Sequence, residues 1–100
     1  MSLEEKIREK LKGIIDPELG LNIVDLGLIY ELKVDNGKAL IRMSLTTPAC
    51  PYGPKILSDA KKAVENVPGV KEARVEITFN PPWNPSMASD EVKAMFENII

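Results

Sequence analysis

Residues 28–45, LIYELKVDNGKALIRMSL, decide the fold because they contain the pattern of a complete β-hairpin. Apolar and polar residues alternate on both sides of Asn36–Gly37, and this period of two is typical of strands with one buried face. Asn-Gly is a preferred pair for a type I′ turn, since both central residues of that turn need a positive φ. The residues predicted to face the core are Leu28, Tyr30, Leu32 and Val34 in the first strand, and Ala39, Ile41, Met43 and Leu45 in the second.

Helical periodicity precedes and follows this hairpin. A capping box of Ser2 and Glu5 opens a predicted amphipathic helix that runs from about Leu3 to Lys12. Pro54, which suits the first turn of a helix, opens a second one that runs to about Asn66. A third strand over 70–79, with Ala73, Val75, Ile77 and Phe79 facing inward, and a final helix capped by Ser89 complete the prediction.

This order, α-β-β-α-β-α, indicates an α+β fold. Each predicted strand has one mostly apolar and one mostly polar face, which is typical of a two-layer α/β sandwich with helices on one face of the sheet. The sheet is expected to be small, three-stranded, and mixed or antiparallel, because the pattern leaves open which strand neighbours the third. A length of 100 residues predicts a single domain over residues 1–100.

Composition and charge exclude several classes of protein. The 13 basic and 15 acidic side chains give a net charge of −2, whereas a general nucleic-acid binder needs a surplus of Lys and Arg. No apolar run is long enough to span a bilayer or to form the core of a signal peptide. We therefore expect a cytoplasmic protein without nucleic-acid or membrane partners.

The chain has one cysteine and no histidine. A lone cysteine cannot form an intrachain disulfide, which fits a reducing compartment. Without imidazole, the Ser–His and Cys–His ways of activating a nucleophile are absent, and no Cys/His zinc site can be built by one chain. A soft metal or cluster would need further ligands from another chain or from small molecules.

Cys50 is the leading candidate for function. It lies in the loop Thr46–Thr47–Pro48–Ala49–Cys50–Pro51, at the mouth of the second predicted helix. Unpaired N–H groups and the helix dipole favour negative charge there, so the thiol pKa is expected to be lowered, with a further contribution from Lys55. The alternative is that Cys50 is a small buried apolar residue.

Polar residues of two other segments are supporting candidates. Asp16, Glu18 and Asp25 lie in an irregular stretch, where carboxylates can bind hard cations or orient a partner. Alternatively, Asp16 forms a turn before Pro17 and Asp25 caps backbone N–H groups. Thr46 and Thr47 could hydrogen-bond a bound group or the Cys50 sulfur, or could satisfy the backbone where a strand ends.

Pro81, Pro82 and Trp83 form a stiff loop that holds the only tryptophan of the chain. Trp is enriched at the centres of interfaces, so this loop is a candidate partner-binding site. The alternative is that Trp83 folds back over one end of the core. The sequence leaves both open.

Four pieces together resemble one family. They are Asp16–Leu19 (DPEL), Val24–Tyr30 (VDLGLIY), Thr46–Pro51 (TTPACP) and Asn80–Trp83 (NPPW). In this order and spacing they resemble the MIP18 family, which includes the PaaD-like and SufT-like proteins. The resemblance covers nearly the whole chain. The cysteine-rich C-terminal extension of PaaD proteins and the extra segments of the eukaryotic members do not occur in this sequence.

The resemblance implies a domain of the iron–sulfur cluster assembly type that matures or delivers clusters. It implies that Cys50 is the functional residue, and it maps the other family motifs to Asp16, Pro17, Glu18, Thr46, Thr47, Pro48, Pro51, Pro81, Pro82 and Trp83. It also implies other assembly proteins and client apoproteins as partners.

Three functional hypotheses follow. In the first, Cys50 transiently ligates iron or a labile iron–sulfur cluster at an interface shared with another chain, a homodimer being one such arrangement, and no cluster is held tightly by a single chain. In the second, the chain is a metal-free adaptor within the assembly machinery. A thiol enzyme or redox sensor ranks last, because no histidine or resolving cysteine is available, and we expect no enzymatic activity.

Overall fold

The computed structural model describes residues 2–46 and 51–99. Its first helix, α1, covers Leu3–Leu11. The Oγ of Ser2 accepts a hydrogen bond from the N–H of Glu5 at 3.1 Å, which satisfies one of the unpaired donors of the first turn. Ile7 and Leu11, four residues apart, are fully buried. The predicted N-cap and apolar stripe are therefore confirmed, whereas the Glu5 carboxylate accepts from the Ser2 hydroxyl at 3.3 Å and not from the Ser2 N–H that a capping box uses.

Two short strands follow α1 in the stretch that periodicity leaves unassigned. β1 (Ile15–Asp16) pairs antiparallel with β2 (Leu21–Asn22). Two-residue strands are too short to show a period, so no alternation could predict them.

The central hairpin consists of β3 (Ile29–Asp35) and β4 (Lys38–Met43), which pair antiparallel. Asn36 and Gly37 have φ values of 51° and 81°, which confirms the predicted type I′ turn.

One prediction for this hairpin is wrong. The register shifts between Ile29 and Glu31, so Ile29 stands opposite the buried Met43 and packs against the core. Tyr30 instead lines a groove with Glu31 and Arg42, the pair that lies on the other face. A β-bulge inserts one residue and thereby reverses the alternation at this point.

The third strand of the sheet is β5 over Glu72–Ile77, which lies parallel to β4. The strand order is β3-β4-β5, so the sheet is mixed, and the third strand neighbours the second. Ala73, Val75 and Ile77 face the core as predicted. The strand ends at Ile77, however, and Phe79 is 39% exposed, so its predicted inward position is wrong.

The remaining elements are α2 (Gly53–Glu65), a 3-10 turn (Pro85–Met87) and α3 (Asp90–Ile99). α1 and α2 pack against each other and against the sheet, and they form the second layer of the predicted α+β sandwich. The largest side chains with no exposed surface in this core are Ile7, Leu11, Ile23, Leu26, Leu28, Ile41, Met43 and Val64. Within the described ranges, no helix has the length and apolar character needed to cross a bilayer.

The opposite face of the sheet carries a chain of ion pairs across the three strands. Glu31 contacts Lys33 at 2.8 Å and Arg42 at 3.2 Å, and Glu76 contacts Arg42 at 3.6 Å and Arg74 at 2.9 Å. We call this surface the open face. It is the polar side that the alternation of the strands predicts.

Candidate functional site

Asp16, at the end of β1, has a carboxylate with no exposed surface. Its Oδ1 accepts hydrogen bonds from the backbone N–H of Glu18 at 2.8 Å and of Leu19 at 3.4 Å. Its Oδ2 accepts one from the hydroxyl of Thr46 at 3.3 Å. Burial of a carboxylate is costly unless its oxygens are hydrogen-bonded, and these three donors provide that compensation.

Thr46 lies where the chain leaves the sheet and enters the loop of Cys50. The buried Asp16 therefore attaches the first residue of this loop to the β1–β2 hairpin. The candidates Thr47, Pro48 and Cys50 lie outside the described residues. Pro51, the next residue after Cys50, is exposed.

The helix after this loop begins at Gly53, three residues beyond Cys50. Its first turn has no acidic residue and no side-chain cap. Because N–H groups of the first turn have no partner within the helix, this end favours an anion. Lys55 is paired with Asp59 at 3.1 Å, which reduces the contribution of its charge to that end.

Glu18 and Asp25 do not join Asp16 in a carboxylate cluster. Glu18 is exposed and contributes its backbone N–H to Asp16. The Asp25 carboxylate accepts from the Nδ2 of Asn22 at 2.8 Å. Across residues 2–46 and 51–99, no group of three or more Cys, Asp or Glu side chains is arranged to hold a metal ion.

Asn22 is a residue of this region that sequence reasoning missed. Its Oδ1 accepts from the N–H of Val24 at 3.1 Å and of Asp25 at 2.8 Å, so Asn22 caps the turn that we assigned to Asp25. The carbonyl of Asp25 accepts from the N–H of Ser89 at 2.7 Å and thereby connects this turn to the start of α3. An Asn two residues before the N–H groups to be satisfied is the usual signal of such a turn.

Trp83 folds back onto the core, as the second interpretation of its loop describes. The ring is half-buried, packs against the core, and donates from Nε1 to the carbonyl of Leu26 at 2.6 Å. Pro81 and Pro82 are exposed. The loop thus combines an anchored tryptophan with two accessible prolines.

A groove of about 430 Å³ opens beside this loop. The Tyr30 hydroxyl, which donates to the carbonyl of Pro81 at 2.9 Å, stands on one wall of it. Arg42 from the open face and Met87 from the 3-10 turn also line the groove. Alternation in the sequence does not predict this groove, because the bulge in β3 is what turns Tyr30 toward it.

Glu31 is the acidic residue that lines this groove. A hydrogen bond from the Lys33 ammonium lowers its pKa from the ordinary value of 4.5, and burial acts in the opposite direction. The positive charges of Lys33 and Arg42 add to the lowering. Glu31 is therefore a fixed negative charge between two cations.

Comparisons with known proteins identify the family. Residues 4–77 match the family described as "Iron-sulfur cluster assembly protein". The chain is 45% identical, over 82% of its length and 81% of the relative's, to the Fe-S protein maturation auxiliary factor YitW of Bacillus subtilis. It is also 34% identical over 90% of its length to the iron-sulfur cluster carrier protein of Synechocystis, of which it spans 26%.

This chain is also similar in fold and sequence to a solved structure. The crystal structure of a domain of unknown function, DUF59, from Bacillus anthracis superimposes with a TM-score of 0.89 and shares 41% identity. The match covers 95% of this chain and 92% of the other. The resemblance noted in the sequence is thereby confirmed: this chain belongs to the iron–sulfur cluster assembly protein family.

Proposed function

We propose that this chain is a maturation factor that takes part in the assembly or delivery of iron–sulfur clusters. Cys50 provides one thiolate ligand to iron or to a labile cluster, and the remaining ligands come from another chain or from small thiols. Its partners are other assembly proteins and client apoproteins. The chain acts as a carrier and not as an enzyme, and it works in the reducing environment of the cytoplasm.

The observation that carries this proposal is the hydrogen bond between the Thr46 hydroxyl and the buried Asp16 carboxylate. It fixes the chain at the start of the Cys50 loop, and α2 fixes it three residues after the cysteine. The segment between these two anchors is short, and a ligand on a short anchored segment binds a metal with a smaller entropic cost than one on a free loop.

The N–H groups of Gly53 and Lys55 have no acceptor within α2, and they support a thiolate at this position. Only the thiolate is a good ligand for iron. With no histidine and no second cysteine, one chain supplies a single soft ligand. Incomplete ligation suits a cargo that must be released, since a closed set of four protein ligands would retain the cluster.

Anaerobic reconstitution tests the proposal. Wild type, Cys50→Ser and Cys50→Ala are incubated with ferrous iron, sulfide and a small thiol, and cluster uptake is followed by visible absorption and iron analysis. We expect uptake by wild type alone. Equal uptake by all three proteins, or by none, would show that Cys50 is not the ligand, and circular dichroism controls for folding.

A second candidate function is a metal-free adaptor, and the groove between Tyr30, Arg42 and Pro81 favours it. Exposed prolines and an aromatic side chain are common in peptide-binding surfaces. Binding of a purified assembly partner would be measured for Cys50→Ser and for Pro82→Asp, which changes an exposed residue. Binding that survives Cys50→Ser and is lost in Pro82→Asp supports the adaptor, and the reverse result supports ligation.

A further inference from the structure

β5 is an edge strand of the three-stranded sheet. Its inner side pairs with β4 without interruption from Lys38 opposite Glu72 to Met43 opposite Ile77. No strand within the described residues pairs with its outer side. An edge strand presents unpaired N–H and C=O groups and is a template for another strand.

The hydrogen bonds to β4 reveal which backbone groups face outward. Glu72 donates its N–H to the carbonyl of Gly37, and Thr78 donates to that of Met43. In a parallel pair, alternate residues bond to the same neighbour, so residues 72, 74, 76 and 78 face β4. The backbone groups of Ala73, Val75 and Ile77 therefore point to the free side.

The two edge strands of the sheet, β3 and β5, differ in how well they are protected against pairing with a further strand. β3 carries a bulge between Ile29 and Glu31, and bulges block the addition of a further strand. β5 has no bulge against β4 and no proline or lysine within Glu72–Ile77. Its charged side chains, Glu72, Arg74 and Glu76, are of both signs, so a partner strand of complementary charge can pair with them.

The sequence of β5 is complementary to itself in one antiparallel register. When Val75 stands opposite Val75 of a second copy, Arg74 stands opposite Glu76 and Glu76 opposite Arg74. These are non-hydrogen-bonded pairs, whose side chains approach closely on the open face. The side chains of Arg74 and Glu76 are 76% and 35% exposed, so both are accessible.

The same register also pairs the side chains on the core-facing side of β5 and provides hydrogen-bonding partners for its outward backbone groups. Ala73 stands opposite Ile77, a small residue against a large one, and Val75 forms a β-branched pair with its copy. These three are the residues whose backbone groups point outward, so each finds a hydrogen-bonding partner. Shifting the two-fold axis by one residue places Arg74 opposite itself or Glu76 opposite itself, which is repulsive.

The helical layer is compatible with this arrangement. A groove of about 550 Å³ runs along the free side of β5 and is lined on the helix by Pro54, Leu57, Ser58 and Lys61. Of the apolar residues that line this groove, Leu57 and Val75 are only half-buried. A second copy related by a two-fold axis at Val75 would cover this apolar lining with the same surface of its own α2.

We propose that β5 is a homodimerisation edge, at which two copies of this chain form a continuous six-stranded sheet centred on Val75. The interface is isologous, with two Arg74–Glu76 ion pairs across it. It is independent of the function proposed for Cys50.

Charge reversal tests the proposal directly. In Arg74→Glu, both intermolecular pairs become Glu–Glu, and in Glu76→Arg both become Arg–Arg. We expect each variant to weaken the dimer about ten-fold or more, because two attractive pairs become repulsive. An equimolar mixture of the two variants restores both ion pairs and is expected to form heterodimers. Lys6→Glu, which makes the same type of change on α1, is the control.

Sedimentation equilibrium over a range of concentrations measures the association. Amide exchange by NMR then locates it, since dimerisation should protect the amides of Ala73, Val75 and Ile77. The amides of Arg74 and Glu76, already bonded to β4, are internal references. Val75→Pro removes an outward N–H and no bond to β4, so it should fold and remain monomeric.

Four results would overturn the proposal, and the first three concern association between copies of this chain. They are a wild-type chain that stays monomeric at millimolar concentration, a dimer that Arg74→Glu leaves unchanged, and a mixture of the two charge variants that does not associate. A chain that is monomeric but captures an unrelated extended peptide along β5 would also overturn it, because the occupant would then be a different partner.

Discussion

The hydroxyl of Thr46 donates to the Oδ2 of Asp16 at 3.3 Å, although thirty positions separate the two residues in the sequence. Asp16 has no exposed surface and also organises the turn that follows β1. One carboxylate therefore fixes a local turn and the start of the Cys50 loop. The sequence pieces that begin at Asp16 and at Thr46 therefore meet at this hydrogen bond.

Substitutions of Asp16 and Thr46 should both lower the free energy of unfolding, and their effects should not be additive. Thr46→Val removes one hydrogen bond and should lower the free energy of unfolding by about 1 kcal/mol, whereas Asp16→Ala should lower it by about 3 kcal/mol because three donors lose their acceptor. The free energy of unfolding lost in the double variant should be smaller than the summed losses of the two single variants, by about 0.5–1 kcal/mol. Urea unfolding of the four proteins measures this coupling. Strictly additive losses would mean that Asp16 and Thr46 do not act together.

Gly27 should tolerate no side chain. It has a φ of +79°, and a Cβ there would overlap the backbone carbonyl of Met87, which cannot move without shifting the 3-10 turn. Gly27→Ala should therefore destabilise the fold by about 3 kcal/mol or more, since steric overlap adds to the cost of a left-handed conformation.

Gly20 is the matched control for this substitution. It has a similar φ of +70°, but a Cβ there meets no atom within 4 Å. Gly20→Ala should cost only about 1 kcal/mol, the conformational part alone. Thermal unfolding compares the two variants. Equal losses would refute the close packing of Gly27 against Met87.

The sequence predicts best what is encoded locally. The β3–β4 hairpin was predictable because its alternation and its Asn36–Gly37 turn lie within one continuous stretch. The Ser2 N-cap of α1 was predictable for the same reason. The face of Tyr30 was not, because a one-residue bulge reverses the alternation and leaves no mark in the pattern.

Asp16 and Thr46 were predicted as site residues, whereas Asn22 was not, and no contact between Asp16 and Thr46 was predicted. The hydrogen bond between Asp16 and Thr46 joins segments thirty positions apart, which only the folded chain brings together. Trp83 donates to Leu26, fifty-seven positions away, and only the folded chain decides between an anchor and a surface residue. Contacts of this kind depend on tertiary packing, which periodicity does not encode.

Trp83→Phe should reveal the strength of that anchor. Phe retains the aromatic packing and removes the Nε1–H that bonds the Leu26 carbonyl, so the free energy of unfolding should fall by about 1–2 kcal/mol. Far-UV circular dichroism follows unfolding after the loss of the only tryptophan. Tyr52→Phe, at a site that is 43% exposed, is the control and should change little. Similar values for both variants would contradict an anchoring role.

Glu31 should make the stability of the sheet sensitive to acid. The Lys33 hydrogen bond and the charges of Lys33 and Arg42 lower its pKa in the folded chain below the ordinary value of 4.5. A lowered folded-state pKa stabilises the fold above the unfolded-state value, and this contribution is lost as the pH falls through the folded-state value. The stability difference between wild type and Glu31→Gln should therefore be constant at neutral pH and shrink below pH 4.5.

Lys33→Met isolates the cause of this effect. Removing the ammonium that donates to Glu31 should raise the pKa of Glu31 toward 4.5, because the largest lowering contribution is lost while Arg42 remains. NMR titration of the Glu31 side-chain carbonyl measures the pKa in both proteins. High salt should raise the pKa in wild type in the same direction, since both side chains are accessible to solvent. A pKa unchanged by Lys33→Met would show that Arg42 alone holds the carboxylate in its charged form.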